Sequence, residues 1–144
     1  AEKLAEDEMY VAAGAGHPLA GTRPVSPDRL AEEIWMVREP GSGTRAATDR
    51  MFESLGIRPR RLLELGSTQL IKETAEAGLG VTLQSRLALR KELGLGSLKL
   101  LDVPGLPVRR SFLVLTRKGD LRTRTMDAFA SLLRSVTEEI VGKA

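Results

Sequence analysis

The sequence predicts an α/β fold in which strands and helices alternate around a largely parallel central sheet. Short apolar runs, such as the one at residues 34–37, have the length and bulk of buried strands. Segments with apolar residues at helical spacing follow these runs, and glycines and prolines separate the two kinds of segment. The resulting order, β-α-β-α-β-α-β, is typical of α/β domains.

The composition is that of an ordinary globular protein. The chain has 144 residues, of which 42% are hydrophobic and 28% charged, so it is long enough to bury a core. A net charge of +3 is too small to indicate nucleic-acid binding by itself. Cysteine is absent, which excludes disulfides and thiol chemistry. No stretch approaches a membrane span and no signal-peptide pattern is present, so we expect a soluble, cytoplasmic protein without membrane contact.

Six strands and five helices are predicted along the chain. Strands are expected at residues 8–15, 34–37, 61–65, 80–83, 98–103 and 111–116. Ser26, Pro27 and Asp28 begin a short helix, because they suit its cap and its first turn. Longer helices are expected from the loop at 41–45 to Gly56, from Ser67 to Gly78, at 86–93 and at 123–141.

The glycine-rich loop at residues 41–45 is the main candidate for a binding site. It joins a strand to a helix, where unpaired N–H groups and the helix dipole favour an anion. Ser42, Gly43 and Thr44 supply hydroxyls and backbone donors, and Arg45 adds a positive charge. The spacing matches neither the phosphate loop nor the dinucleotide fingerprint, so no nucleotide is predicted. The alternative is a tight turn in which Ser42 or Thr44 only caps the helix.

A second strand-to-helix turn contains Ser67 and Thr68 and repeats this pattern. In a parallel sheet both turns lie at the carboxyl edge of the strands, where ligands bind. The alternative for Ser67 is again a helix cap. His17 is the only histidine, and its position before a proline favours a structural role. No suitable cluster of ligands accompanies it, so we expect no metal and no cofactor.

The last predicted helix carries an apolar stripe that the rest of the chain does not fully cover. The stripe recurs at spacings of three and four residues and comprises Met126, Phe129, Leu133, Val136 and Ile140. We therefore expect part of it to pack on a segment outside this sequence or on a second copy of the chain. The expectation is a dimer or a higher oligomer.

The ordered set of fragments resembles the effector-binding domain of LysR-type transcriptional regulators. The resemblance covers nearly the whole chain and is carried by residues 8–12, 16–20, 38–45, 63–65, 71–73, 77–81, 110–114 and 128–129. It implies a type 2 periplasmic-binding-protein-like fold, with two α/β subdomains joined by two crossover strands and the effector in the cleft between them.

The resemblance also implies how the chain divides. Residues 1–116 would form one complete Rossmann-like subdomain, the second of the two, including the crossover strands. Residues 117–144 would form the C-terminal helix that returns to the first subdomain. The rest of that subdomain and the DNA-binding winged helix-turn-helix would lie outside this sequence. The turn at 41–45, together with Ser67 and Thr68, carries over as one wall of the effector site.

The leading hypothesis is therefore a ligand-sensing domain of a LysR-type regulator that binds a small, anionic effector and contacts DNA only through another domain. The alternative is a periplasmic-type solute-binding protein for a small anion, which shares the fold. An enzyme is disfavoured, because the sequence has no cysteine, a single loop histidine and no carboxylate pair placed for catalysis.

Overall fold

A computed structural model describes residues 1–117, 119, 121 and 123–142 of the chain. In this part the strands are β1 (Glu2–Gly14), β2 (Ile34–Val37), β3 (Arg61–Glu64), β4 (Val81–Ser85), β5 (Leu98–Leu100) and β6 (Val108–Val114). The α-helices are α1 (Pro27–Ala31), α2 (Gly43–Leu55), α3 (Thr68–Glu76), α4 (Arg86–Leu95) and α5 (Arg124–Gly142). A 3-10 helix at Pro18–Gly21, which was not predicted, follows β1.

The strands form one mixed sheet, so the expectation of a largely parallel sheet is wrong in this respect. Strand β2 pairs in parallel with β3 and β4, whereas β1 runs antiparallel to β4, β5 and β6. The order is β3-β2-β4-β1-β5, and β6 pairs with β1. Alternation of strands and helices predicts parallel pairs only where a helix connects neighbouring strands. It carries no signal for β1, which pairs with strands far away in the sequence.

Strand β1 begins earlier than predicted because its charged first half is paired across the sheet. It spans 13 residues and pairs with β6 from Glu2 opposite Val114 to Met9 opposite Val108. Asp7 lies within this charged half and is buried. Its carboxylate accepts hydrogen bonds from Arg110 Nε at 2.7 Å and from Ser85 Oγ at 2.6 Å. This contact joins both long strands to the start of α4.

Helices cover both faces of the sheet and create two cores. Alternate residues of β2 point to opposite sides, so that Trp35 packs with Phe52 of α2 while Met36 packs with Ile71 of α3. The Trp35 and Phe52 rings meet edge to face with centroids 4.8 Å apart, and the indole N–H of Trp35 donates to the Leu30 carbonyl at 2.7 Å. The sheet, with α2 on one face and α3 on the other, is thus a three-layer scaffold.

The predicted helix boundaries follow from their caps. Ser26 Oγ accepts the N–H of Arg29 at the start of α1, and Pro27 occupies the first helical position. Helix α2 ends at Gly56, whose φ of +66° is in the left-handed region that glycine adopts without strain. These boundaries are confirmed.

Helix α5 lies at the edge of the domain, and none of its described residues is buried. Its Arg134 forms a two-pronged contact with the Glu2 carboxylate of β1, at 2.9 and 2.8 Å. A groove of about 390 Å³ separates it from β6, and Phe129 on its apolar stripe remains 65% exposed. The expectation that the chain does not fully cover the stripe is confirmed for the described residues. Within the described residues, no helix has the length and hydropathy needed to cross a membrane.

Candidate functional site

The two candidate turns lie side by side at one edge of the sheet. Strands β2 and β3 are parallel neighbours, and the N–H of Leu65 continues their pairing by donating to the Val37 carbonyl at 2.9 Å. Helix α2 leaves β2 over one face of the sheet, and α3 leaves β3 over the other face. In α/β sheets the ligand crevice is generally found at such a switch in direction, beyond the carboxyl ends of the strands, and the central parallel strand here is β2.

The first turn presents the N-terminus of α2. Ser42 caps this helix, since its Oγ accepts the N–H of Thr44 at 3.2 Å. The capping alternative for Ser42 is therefore confirmed, although its hydroxyl hydrogen can still be donated to a ligand. A Cβ at Gly43 would meet no atom within 4 Å, so the space before the helix is open. In the described part of the chain, no hydrogen bond engages the half-buried Thr44 hydroxyl.

Arg45 braces this turn. Its Nε lies 3.0 and 3.2 Å from the two carboxylate oxygens of Asp49, and its Nη1 donates to the Arg38 carbonyl at 3.0 Å. The same Nη1 is 3.7 Å from a carboxylate oxygen of Glu64 at the end of β3. These contacts tie the first turn of α2 to the ends of β2 and β3. None of these contacts uses Nη2 of Arg45, so its N–H groups can still donate to an effector.

The second turn caps α3 and also reaches β2. Ser67 Oγ accepts the N–H of Leu70 at 3.3 Å, which confirms the capping alternative for this residue. Thr68 Oγ1 accepts a hydrogen bond from Arg38 Nη1 at 3.2 Å. The predicted residues Ser42, Gly43, Thr44, Arg45, Ser67 and Thr68 therefore belong to one edge of the sheet, and Arg38 links the two turns.

Arg38 was not predicted as a site residue, although it directly follows the apolar run of β2. Its Nε and Nη2 hold the Glu39 carboxylate in a two-pronged contact, at 2.8 and 2.9 Å. These hydrogen bonds lower the pKa of Glu39 to about 2 and raise the pKa of Arg38. The side chains of Arg38 and Glu39 are 23% and 42% exposed, so solvent and small solutes reach the pair. The sequence did contain one indication of this role, because Arg38 is a positively charged residue directly after an apolar strand.

Two buried polar residues of β4 adjoin this edge. Thr82 Oγ1 donates to the Met36 carbonyl of β2 at 2.9 Å, and Gln84 Nε2 donates to Thr82 Oγ1 at 3.2 Å. The parallel pairing of Trp35 with Val81 places Gln84 level with Arg38. Sequence reasoning missed both, because polar side chains inside an apolar strand read as solvent-facing.

His17 is structural, as expected. Its Nδ1 accepts the N–H of Leu19 at 3.1 Å, which leaves Nε2 protonated and 3.2 Å from Glu33 Oε2. It caps the 3-10 helix and is almost completely buried. The described residues contain no group of three or more acidic, histidine or cysteine side chains able to hold a metal.

This architecture defines a ligand-binding domain of the periplasmic-binding-protein type, with anion-compatible helix starts at the edge of its sheet. The chain belongs to the LysR substrate binding domain family, whose model matches residues 1–138. The resemblance carried by the sequence fragments is thereby confirmed.

Named relatives agree with this assignment. The chain is 35% identical to a RuBisCO operon transcriptional regulator of Acidithiobacillus ferrooxidans over 92% of its own length and 43% of the regulator. It therefore spans less than half of that protein. The regulatory domain of Synechocystis PCC6803 CcmR, solved in complex with 2-PG, is 30% identical and superposes with a TM-score of 0.84 over 95% of this chain and 66% of that one.

A more distant structure shows the same fold. The effector binding domain of QuiR, solved in complex with shikimate, is 16% identical and has a TM-score of 0.78, covering 96% of this chain and 65% of that one. The relatives are named as transcription regulators, which favours regulation over the solute-binding and enzymatic alternatives.

Proposed function

We propose that this chain senses a small anion for a LysR-type transcription regulator and that the anion binds in the crevice beyond β2. The helix starts of α2 and α3 would supply backbone N–H groups and the hydroxyls of Ser42, Thr44, Ser67 and Thr68. The observation that carries the proposal is the contact between Arg38 Nη1 and Thr68 Oγ1, which joins both turns around one cation. The related CcmR domain, which is solved with 2-PG, supports a small ligand in this fold.

We further propose that β1 and β6 are the crossover strands of a two-subdomain protein. Both are long, and they pair with each other at seven register positions. Helix α5 contacts the first residue of β1, Glu2, at the end of β1 that pairs with β6. Residues 1–116 would then form the second subdomain, and the helix within 117–144 would pack on the first. Of that last range, residues 118, 120, 122, 143 and 144 lie outside the described residues.

Regulation requires that the anion bind two conformations with different affinity, because a ligand that binds both equally shifts neither. In this proposal the crevice beyond β2 forms one wall of the effector-binding cleft, and the bound effector draws the opposite wall towards it. DNA would be contacted by a separate domain, and the protein would act in the cytoplasm.

Calorimetric titration tests the site through Thr44→Ala. Both this chain and a full-length protein carrying it would be titrated with 2-PG, shikimate and inorganic phosphate. We expect loss of the Thr44 hydroxyl to weaken binding about ten- to 150-fold, because one hydrogen bond to a charged ligand contributes about 1.5–3 kcal/mol. Thr22→Ala, which removes the hydroxyl of a half-buried threonine far along the chain from both turns, should leave the affinity unchanged. Equal affinities for the parent and Thr44→Ala would remove Thr44 from the site.

A further inference from the structure

We propose that Glu39 is an internal competitor for the effector: its carboxylate occupies the guanidinium fork of Arg38 in the unliganded protein, and an anionic ligand exchanges with it. The inference rests on the proposed function, since it concerns how an anion reaches the same crevice. It assigns a regulatory role to a residue that neither the helix caps nor the hydroxyl-rich turns account for.

The geometry of the pair supports exchange. Arg38 uses Nε and Nη2 for Glu39 and Nη1 for Thr68, so the pair fills the two-pronged face of the guanidinium. Such a pair of parallel N–H donors is the arrangement with which arginine binds carboxylates and phosphates. An anion that approaches Arg38 from Thr68 therefore meets a cation of which one paired-donor edge already holds a carboxylate.

Exposure and chain geometry make the exchange possible. Glu39 is 42% exposed on its side chain, and it belongs to the loop rather than to β2 or α2. Gly41, two residues later, has a φ of +94°, a conformation available to glycine without strain. In the proposed exchange the Glu39 side chain rotates into solvent while β2 and α2 keep their positions. Buried ion pairs of this chain, such as Asp7 with Arg110, lack this freedom.

The competition has a calculable size. A ligand that needs a free Arg38 has an apparent affinity equal to its intrinsic affinity multiplied by the fraction of molecules in which Glu39 has left the fork. For a partly exposed two-pronged pair, that fraction corresponds to a reduction of about two- to sixfold. Removing the Glu39 charge should recover this factor.

The test compares Glu39→Gln with Glu64→Gln in the 144-residue chain. Glutamine keeps the length of the side chain and removes one negative charge in each variant. Glu64 stands at the same edge of the sheet, 3.7 Å from Arg45, but it does not contact Arg38. Inorganic phosphate is titrated at low ionic strength, and the amide signals of residues 42–44 and the Arg38 Nε–H signal are followed by NMR.

We expect Glu39→Gln to bind phosphate about two- to sixfold more tightly and Glu64→Gln to change little. Phosphate should shift the Arg38 Nε–H signal in the parent towards its position in saturated Glu39→Gln. An equal gain in phosphate affinity in the two variants would show that only the loss of a nearby negative charge matters, and it would overturn the proposed exchange. So would a phosphate-bound parent in which the Arg38 signal does not move.

Failure of the exchange and failure of the proposed function give different results. If the parent binds phosphate and Thr44→Ala weakens binding, but Glu39→Gln matches the parent, the crevice is the site and the exchange is wrong. If neither the parent nor Glu39→Gln binds phosphate, both proposals fail for this anion. Binding by Glu39→Gln alone would support both.

Discussion

Gly80 lies where the chain enters β4, beside the first residue of β2, and it has no room for a side chain. A Cβ there would lie 2.1 Å from the carbonyl oxygen of Ile34 and 2.9 Å from the carbonyl carbon. Real Cβ contacts are essentially never shorter than 3.0 Å, so Gly80→Ala requires a movement of at least 0.9 Å, which is 3.0 minus 2.1. The obstacle is backbone, and no change of side-chain rotamer can relieve it.

The cost follows from what this movement breaks. Strands β2 and β4 are held together by the pairing of Trp35 with Val81 and by the hydrogen bond from Thr82 Oγ1 to the Met36 carbonyl, at 2.9 Å. A displacement of this size stretches such bonds beyond hydrogen-bonding range. Overpacking costs about 1–3 kcal/mol and each lost hydrogen bond about 1 kcal/mol. We expect Gly80→Ala to lower the free energy of unfolding by about 3–5 kcal/mol.

Urea unfolding followed by fluorescence measures this loss, because Trp35 is the only tryptophan and is completely buried. With a slope of about 2 kcal/mol per molar urea, the midpoint should fall by about 1.5–2.5 M. Gly94→Ala is the matched control: it lies in the exposed part of α4 and a Cβ there meets nothing within 4 Å. It should stabilise the chain by about 0.5–1 kcal/mol. A Gly80→Ala midpoint within about 0.3 M of the parent would refute the steric argument.

Two further predictions concern a buried ion pair and the exposed face of α5. Lys72→Met should destabilise the chain by about 2–4 kcal/mol at pH 7, because Glu92 keeps a buried charge and one of its oxygens already lacks a partner in the described structure. In the parent, burial raises the pKa of Glu92, but the hydrogen bonds from Lys72 and the backbone outweigh this effect and leave the pKa below 4.5. The ion pair therefore stabilises the fold above pH 4.5, and this contribution is lost as the pH falls through the lowered pKa of the folded state. In Lys72→Met, burial, which is the largest influence on the pKa of Glu92, is opposed only by the backbone hydrogen bond and the charge of Lys91, so the deficit measured by urea unfolding should shrink between pH 7 and pH 5. A deficit that does not change with pH would contradict this. Separately, light scattering should show a dimer or a higher oligomer, and Phe129→Glu should shift it towards monomer; a clean monomer of the parent at high concentration would count against the prediction.

Local features of the fold were predictable from the sequence, because they depend on neighbouring residues. Strand β2 occupies the predicted residues, and Gly56 ends α2 because its left-handed conformation suits glycine. Ser26 and Ser67 cap their helices, as serine does in that position. In each case a few adjacent side chains and backbone groups decide the structure, and the sequence contains all of them.

Features that depend on distant pairing were not predictable in the same way. The charged stretch that opens β1 reads as solvated, yet Asp7 is buried because Arg110 lies opposite it, 103 residues away. The antiparallel direction of β1 has the same origin, since no short connection links it to its neighbours. Arg38 was also missed, because the contact that gives it a place in the site, with Thr68, spans 30 residues.

The position of Arg38 also explains why this site belongs to the topology rather than to either turn. Strands β3 and β4 flank β2 on opposite sides, so α2 and α3 must leave over opposite faces and their N-termini face a common gap. Arg38, the first residue after β2, contacts both helix starts: its carbonyl accepts from Arg45 at the start of α2, while its guanidinium donates to Thr68 at the start of α3. A lysine there would keep the charge, but its single ammonium lacks the planar fork that holds Glu39 while a third nitrogen reaches Thr68. An anion that replaces Glu39 at this fork would therefore be joined to both helix starts through one residue, because the Arg38 guanidinium contacts α3 and the Arg38 carbonyl contacts α2.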